Sequence, residues 1–196
     1  YRMRNLRRAE LHADVILSSP NQSGLAVRPY HHLNAPIDLS RYEFRIPGRE
    51  VPVILHAPSD EGIKGTARII DALRRLQDEG VAFKLRYLEN VSNRVLRREL
   101  PGADLLIDQL HYPLHGKLGV EAMASGCALA TCDRADFEPY PPNRPIWHIE
   151  PVGLEDRLRR GDRLDRDRIT SRHPPHDLLL FLARRIAQAQ LEHEAV

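Results

Sequence analysis

An α/β fold, a parallel sheet covered by helices on both faces, is what this sequence predicts, and three observations carry the prediction. Short apolar runs recur from residue 51 onward. Stretches of helical period separate them, and glycines and prolines mark the turns. Strands spaced by helices need crossover connections, which make neighbouring strands parallel. Runs that are continuously apolar, rather than alternating, belong to strands buried on both faces.

The elements follow in order. "VPVILHAP" (51–58) is the first buried strand. "KGTARIIDALRRLQDEG" (64–80) is a helix with Ile69, Ile70, Leu73 and Leu76 on one stripe, opened by Lys64-Gly65-Thr66 and stopped by Gly80. "FKLRYLEN" (83–90) is the next strand, and Ser92 caps a short helix, "NRVLRREL". "ADLLIDQL" (103–110) is a strand, "GKLGVEAMASG" (116–126) a helix ending at Gly126, and "CALATC" (127–132) the strand after it. "RPIWHIEP" (144–151) closes the series, and "DLLLFLARRIAQAQL" (177–191) forms a final amphipathic helix. The Asp/Arg alternation at 155–168 reads as a solvated helix face. The whole is a doubly wound, Rossmann-like sheet.

Residues 1–45 differ. "RNLRRAELHADVILSSP" reads as one helix feeding one strand, and no room remains for a further strand–helix–strand unit. One strand makes no sheet alone. This segment is expected to be the end of a preceding domain with its linker, and 46–196 the main domain. The chain opens on Tyr1, which suggests a piece of a longer protein.

Composition narrows the function classes. Charged residues make up 29% of the 196-residue chain, but 29 basic and 27 acidic side chains leave a formal charge of only +2. Without a basic field, nucleic acid is not the expected partner. Cys127 and Cys132 lack zinc-type spacing and lie in or beside an apolar run, as buried reduced thiols of a cytoplasmic protein do. No apolar run approaches the roughly 18 residues of a membrane span.

In a doubly wound sheet, ligands lie beyond the carboxyl ends of the strands. Three turns lie there. In "HAPSDEGIKGT" (56–66), Lys64 and the amides around Gly65 and Thr66 suit an anion at a helix start, although Asp60 and Glu61 share the turn. In "HYPLHGKLGVEAMASG" (111–126), Gly116 opens a helix whose amides can approach a second anionic oxygen. Glu121 stands alone among Ala122, Met123, Ala124 and Gly126, an acceptor suited to the two hydroxyls of a ribose. The third turn is 89–93. His111 and His115 are four apart, but Pro113 between them opposes a helix and no acidic third ligand stands at a suitable spacing, so no metal site is expected. No Gly-X-Ser-X-Gly elbow or Walker-type loop occurs.

These residues resemble the nucleotide-sugar-binding domain of the retaining glycosyltransferases of family 4, also called group 1. "HAPSDEGIKGT", "ADLLIDQL" and "HGKLGVEAMASGCALA" stand in that family's order, and "ADVILSSP" with "LNAPIDLSRYEF" is similar to its crossover between domains. The resemblance covers about residues 13–133. It implies the C-terminal half of a GT-B fold, two facing Rossmann-like domains, the first of them largely missing here. It implies hexosyl transfer from a UDP- or GDP-sugar to a hydroxyl acceptor with retention, in cell-surface polysaccharide synthesis, without metal or other cofactor. Lys64, Gly65 and Thr66 would meet the donor diphosphate, supported by Gly116 and Lys117. Glu121 would hold the ribose, and the backbone at Val91 would face the base. No catalytic residue is assigned. Peripheral membrane association, common among members acting on lipid-linked acceptors, enters only through the resemblance.

Two positions depart from the family's pattern. Glu61 stands in a turn where the family usually places a cation, and Pro113 replaces the first of two glutamates eight apart. They motivate an alternative, a non-catalytic Rossmann-like binding or scaffold module that has lost its diphosphate clamp.

Overall fold

The structure, a computed structural model, describes residues 2–18, 28–33, 36–45, 49–112, 115–132, 146–149, 151 and 154. The final helix expected at 177–191 and the charged run at 155–168 lie outside them. The chain divides into two compact units, the first holding the N-terminal segment through Ile37 and the second beginning at Asp38.

In the first unit, helix α1 (Arg2–His12) leads to strand β1 (Leu17–Ser18). β1 pairs in parallel with β2 (His31–His32), Leu17 opposite His31. The helix and its strand were legible. The partner strand was not, because two residues carry no period.

The second unit holds five parallel strands: β3 (Val53–His56), β4 (Lys84–Tyr87), β5 (Leu105–Ile107), β6 (Ala128–Thr131) and β7 (Ile146–His148). Helices α2 (Glu61–Lys64), α3 (Thr66–Asp78), α4 (Asn93–Glu99) and α5 (Lys117–Ala124) connect them. This is a Rossmann-like α/β fold. The spatial order is β4-β3-β5-β6-β7. The chain therefore moves outward from β3 to β4 and then returns to β5 on the other side of β3. That reversal is the topological switch point, and it lies between β3 and β5.

Alternation along the strands supplies two cores, one for each face. Ile54, Leu105, Ile107, Ala128, Ala130 and Trp147 meet Ile69, Leu73 and Leu76 of α3. Leu55, Leu106 and Leu129 meet Leu100, Ala122 and Cys127 on the opposite face. Every residue of β3, β5 and β6 is buried, whereas the edge strand β4 exposes Lys84. Each wholly buried leucine or isoleucine among these contributes about 1.5–3 kcal/mol. Among the described residues no helix is long and apolar enough to cross a membrane.

Both glycine stops form as the sequence requires. Gly80 and Gly126 take φ of 89° and 79°. At α3 the Gly80 amide reaches Gln77 O and the Val81 amide reaches Leu76 O, at 3.0 and 2.9 Å. At α5 Gly126 reaches Met123 O and Cys127 reaches Ala122 O, at 3.1 and 3.0 Å. These paired bonds satisfy the last carbonyls of each helix. Ser92 does precede α4, but its side chain makes no capping bond.

Candidate functional site

The turn after β3 is built differently from the expected helix start. Asp60 caps a single helical turn, α2, its Oδ1 accepting from the Ile63 amide at 2.9 Å. Lys64 is the last residue of that turn, and Gly65, at φ 71°, breaks it before Thr66 begins α3. Lys64 thus sits at a helix C-terminus, where the macrodipole favours a cation. Four residues are too few to leave a periodic trace, which is why the sequence merges α2 with its successor. A Cβ on Gly65 would lie 3.0 Å from both His111 Nε2 and Leu110 Cβ, so conformation and space both ask for glycine.

Lys64 is 8% exposed and points inward. Its Nζ donates to Oδ1 of Asp108, the residue that follows β5 and is itself 2% exposed. Oδ2 of the same carboxylate accepts from the Gly116 amide at 3.0 Å. The two anion-directed groups read from the sequence, Lys64 and the Gly116 amide, are therefore brought together at the switch point, on one carboxylate of the chain's own. Gly116 has φ −82° and ψ 179°, so it is extended backbone that any residue adopts. An added Cβ would find only ordinary contacts, 3.6 Å from Asp108 Oδ2 and 3.8 Å from Lys64 Nζ.

The two turns are tied to each other directly. The Leu110 amide donates to Lys64 O at 3.1 Å, and the His111 amide to Ile63 O at 3.4 Å.

Thr66 does not present its hydroxyl outward. It is 5% exposed and bonded at 3.0 Å to Nε2 of His56, whose Nδ1 lies 2.8 Å from Ile107 O. A carbonyl only accepts, so Nδ1 carries the proton, and the Thr66 hydroxyl donates to Nε2. Burial lowers the His56 pKa below its ordinary 6.5, which keeps this neutral tautomer in place.

Glu61 has a partner too. Its Oε1 accepts from the Tyr87 hydroxyl at 2.6 Å, and Tyr87 stacks on His56, its opposite number across β3 and β4, with ring centroids 6.0 Å apart. The bond to Glu61 pushes the Tyr87 pKa up to about 12.

Glu121, one and a half turns into α5, is 1% exposed. Its Oε1 accepts from the Tyr42 hydroxyl at 2.8 Å, and the Asn93 amide reaches both oxygens, at 3.2 and 3.1 Å. Lys117 Nζ lies 3.7 Å away on a largely exposed side chain. A buried carboxylate needs such donors. Burial, then the bond to Glu121, raises the Tyr42 pKa, so the hydroxyl keeps its proton and donates. Val91 is half-buried, two residues before Asn93.

Three residues of this site escaped sequence reasoning: Asp108, Tyr42 and Asn93. Asp108 had a readable signal, a carboxylate placed at the carboxyl end of a continuous apolar strand. The other two had none, since their contacts with Glu121 span 79 and 28 residues. No model of a known protein family matches the chain, and no curated protein matches it.

Proposed function

We propose that this chain is the donor-binding domain of a retaining glycosyltransferase of the family 4 type, and that its switch-point crevice holds the diphosphate of a UDP- or GDP-sugar. One observation carries the reading. Lys64 Nζ and the Gly116 amide, on two different turns, converge on a single anion, the Asp108 carboxylate. The single N–H of Gly116 is taken by Asp108, so a second anion would meet Lys64 and the amides that follow Gly116. An ammonium has three N–H groups, of which Asp108 takes one.

The chemistry follows from charge. Breaking the bond from the sugar's anomeric carbon to the diphosphate places negative charge on the leaving oxygens. Lys64 and the first amides of α5 are fixed donors for that charge, and fixed donors need no reorganisation as it develops. Glu121 and Asn93 orient the nucleotide through its ribose. The acceptor hydroxyl belongs to a facing domain, and orientation by that domain supplies several kcal/mol of the barrier. In this reading the reaction belongs to the cytoplasmic synthesis of cell-surface polysaccharide, and the chain alone binds donor without transferring sugar.

The test is calorimetry of the chain with UDP, GDP and their hexose conjugates up to millimolar concentration. Heat with one of them, lost in Lys64→Ala and Glu121→Ala proteins that remain folded by circular dichroism, supports the reading. Silence with all of them sinks it.

A specific observation also favours the alternative, a non-catalytic module: both Glu121 oxygens are already occupied, and Glu61 stands in the anion-facing turn. Glu61→Arg separates the two. A donor site weakened by charge gains about tenfold or more in nucleotide affinity from the new charge-assisted contact, whereas a repurposed module gains nothing.

A further inference from the structure

We infer that Tyr42 determines what Glu121 recognises: its hydroxyl keeps the place of a ligand hydroxyl, and a ribose binds by displacing it. The inference rests on the donor-binding reading above and adds to it the residue that guards the ribose position.

The first argument is chemical. The Glu121 oxygens accept hydrogen bonds, and Tyr42 offers one of them a hydroxyl at 2.8 Å, the same group a ribose presents. Exchanging one hydroxyl for another leaves the number of hydrogen bonds unchanged.

The second argument concerns how Tyr42 is held. Its segment is shaped by a local turn at one end and anchored at the other. At the first, Asp38 caps a 3₁₀ turn, Leu39–Arg41, through Ser40 N at 3.2 Å and Arg41 Nε at 3.0 Å. At the second, the Arg45 amide donates to Ser125 O at 3.1 Å. Between these two ends nothing is packed into the core. The 3₁₀ turn has no buried residue, and Leu39 and Phe44 are 66% and 56% exposed. Moving the Tyr42 ring therefore breaks one hydrogen bond and displaces no wholly buried residue of its segment.

The third argument is Asn93. Its amide bridges both Glu121 oxygens from the start of α4, so the carboxylate keeps its orientation after Tyr42 leaves. Asn93 is itself exposed, which gives a ligand a way in beside it.

The experiment measures the affinity of UDP and GDP, and of their 2′,3′-dideoxy counterparts, for the unaltered chain and for Tyr42→Phe. With its competitor removed, the ribonucleotide gains about tenfold or more, the worth of one hydrogen bond to a charged group. The dideoxy ligand, which has no hydroxyl to offer Glu121, gains nothing. Equal gains for both ligands, or a loss for the ribonucleotide, overturn the inference while leaving donor binding intact. No binding of any of the four to either protein overturns the donor-binding reading, and the inference falls with it. A second measurement needs no variant: hydrogen exchange across residues 39–44 of the unaltered chain quickens when the ribonucleotide binds, and slower or unchanged exchange there overturns the inference.

Discussion

Replacing Asp108 by asparagine tests the electrostatics of the switch point most directly. The substitution keeps the shape of the side chain, and the new amide oxygen can still accept from the Gly116 N–H. What it removes is the counter-charge of Lys64, a cation only 8% exposed, paired with a carboxylate only 2% exposed. Removing one partner of a buried pair costs about 3–5 kcal/mol, because the other charge stays behind in a poor solvent. The retained bond to Gly116 and the small residual exposure of Lys64 place the expectation at the lower end, about 3 kcal/mol. That is a large share of the roughly 5–15 kcal/mol that separates folded from unfolded chains.

The protein carries its own probe for the assay. Trp147, its single tryptophan, is 7% exposed in β7, so its fluorescence reports unfolding of the sheet. With a urea slope of about 2 kcal/mol per molar, the midpoint falls by about 1.5 M. The double variant Lys64→Met with Asp108→Asn removes both charges, keeps the acceptor for Gly116 and recovers most of the loss, giving a large coupling energy in a double-mutant cycle with the two single variants. A loss below about 0.5 kcal/mol for Asp108→Asn, within the range of exposed positions, refutes the claim that Asp108 neutralises a buried cation.

Two further outcomes follow from the fold. Gly126→Ala is expected to lower stability by about 2–4 kcal/mol in the same urea titration, from a left-handed backbone and an overpacked contact. A Cβ there would overlap the Arg45 carbonyl oxygen and lie 2.9 Å from its carbon; a neutral effect would show that the 38–45 segment does not lie against α5. Acidification should weaken the fold through His56, whose folded pKa is depressed below 6.5. Below that value the unfolded chain protonates its imidazole while the folded chain resists, so the unfolded state binds more protons and stability falls with pH by up to about 1.4 kcal/mol per unit. His56→Gln should flatten that dependence just below pH 6.5, and an unaltered slope would assign it to other groups.

What could be read in advance follows the range of the forces involved. The central strands announced themselves because burial on both faces demands continuous apolar runs such as "VIL" in β3 and "LLI" in β5. The helix stops at Gly80 and Gly126 were equally local, a matter of which residue tolerates positive φ. Lys64, Gly116 and Glu121 were found as chemical types in turns of known position. Their partners were a different matter. The pairing of Lys64 with Asp108 spans 44 residues, and no periodicity encodes it. The sequence also misassigned the helix end on which Lys64 sits, since a four-residue helix leaves no pattern. Glu61 read as a reversed charge in the anion-binding turn, and Thr66 as a ligand contact; each instead has a side-chain partner on a strand, Tyr87 of β4 and His56 of β3.

The main-chain stitches from Leu110 to Lys64 and from His111 to Ile63 have a consequence for engineering and for descent alike. The loops after β3 and β5 are a single mechanical piece, with Gly65 as the gap into which Leu110 and His111 fit. Grafting residues 58–66 into another parallel-sheet scaffold without 108–111 would carry over the lysine but not its aim. Among diverging copies of this chain, changes in one loop should arrive together with compensating changes in the other.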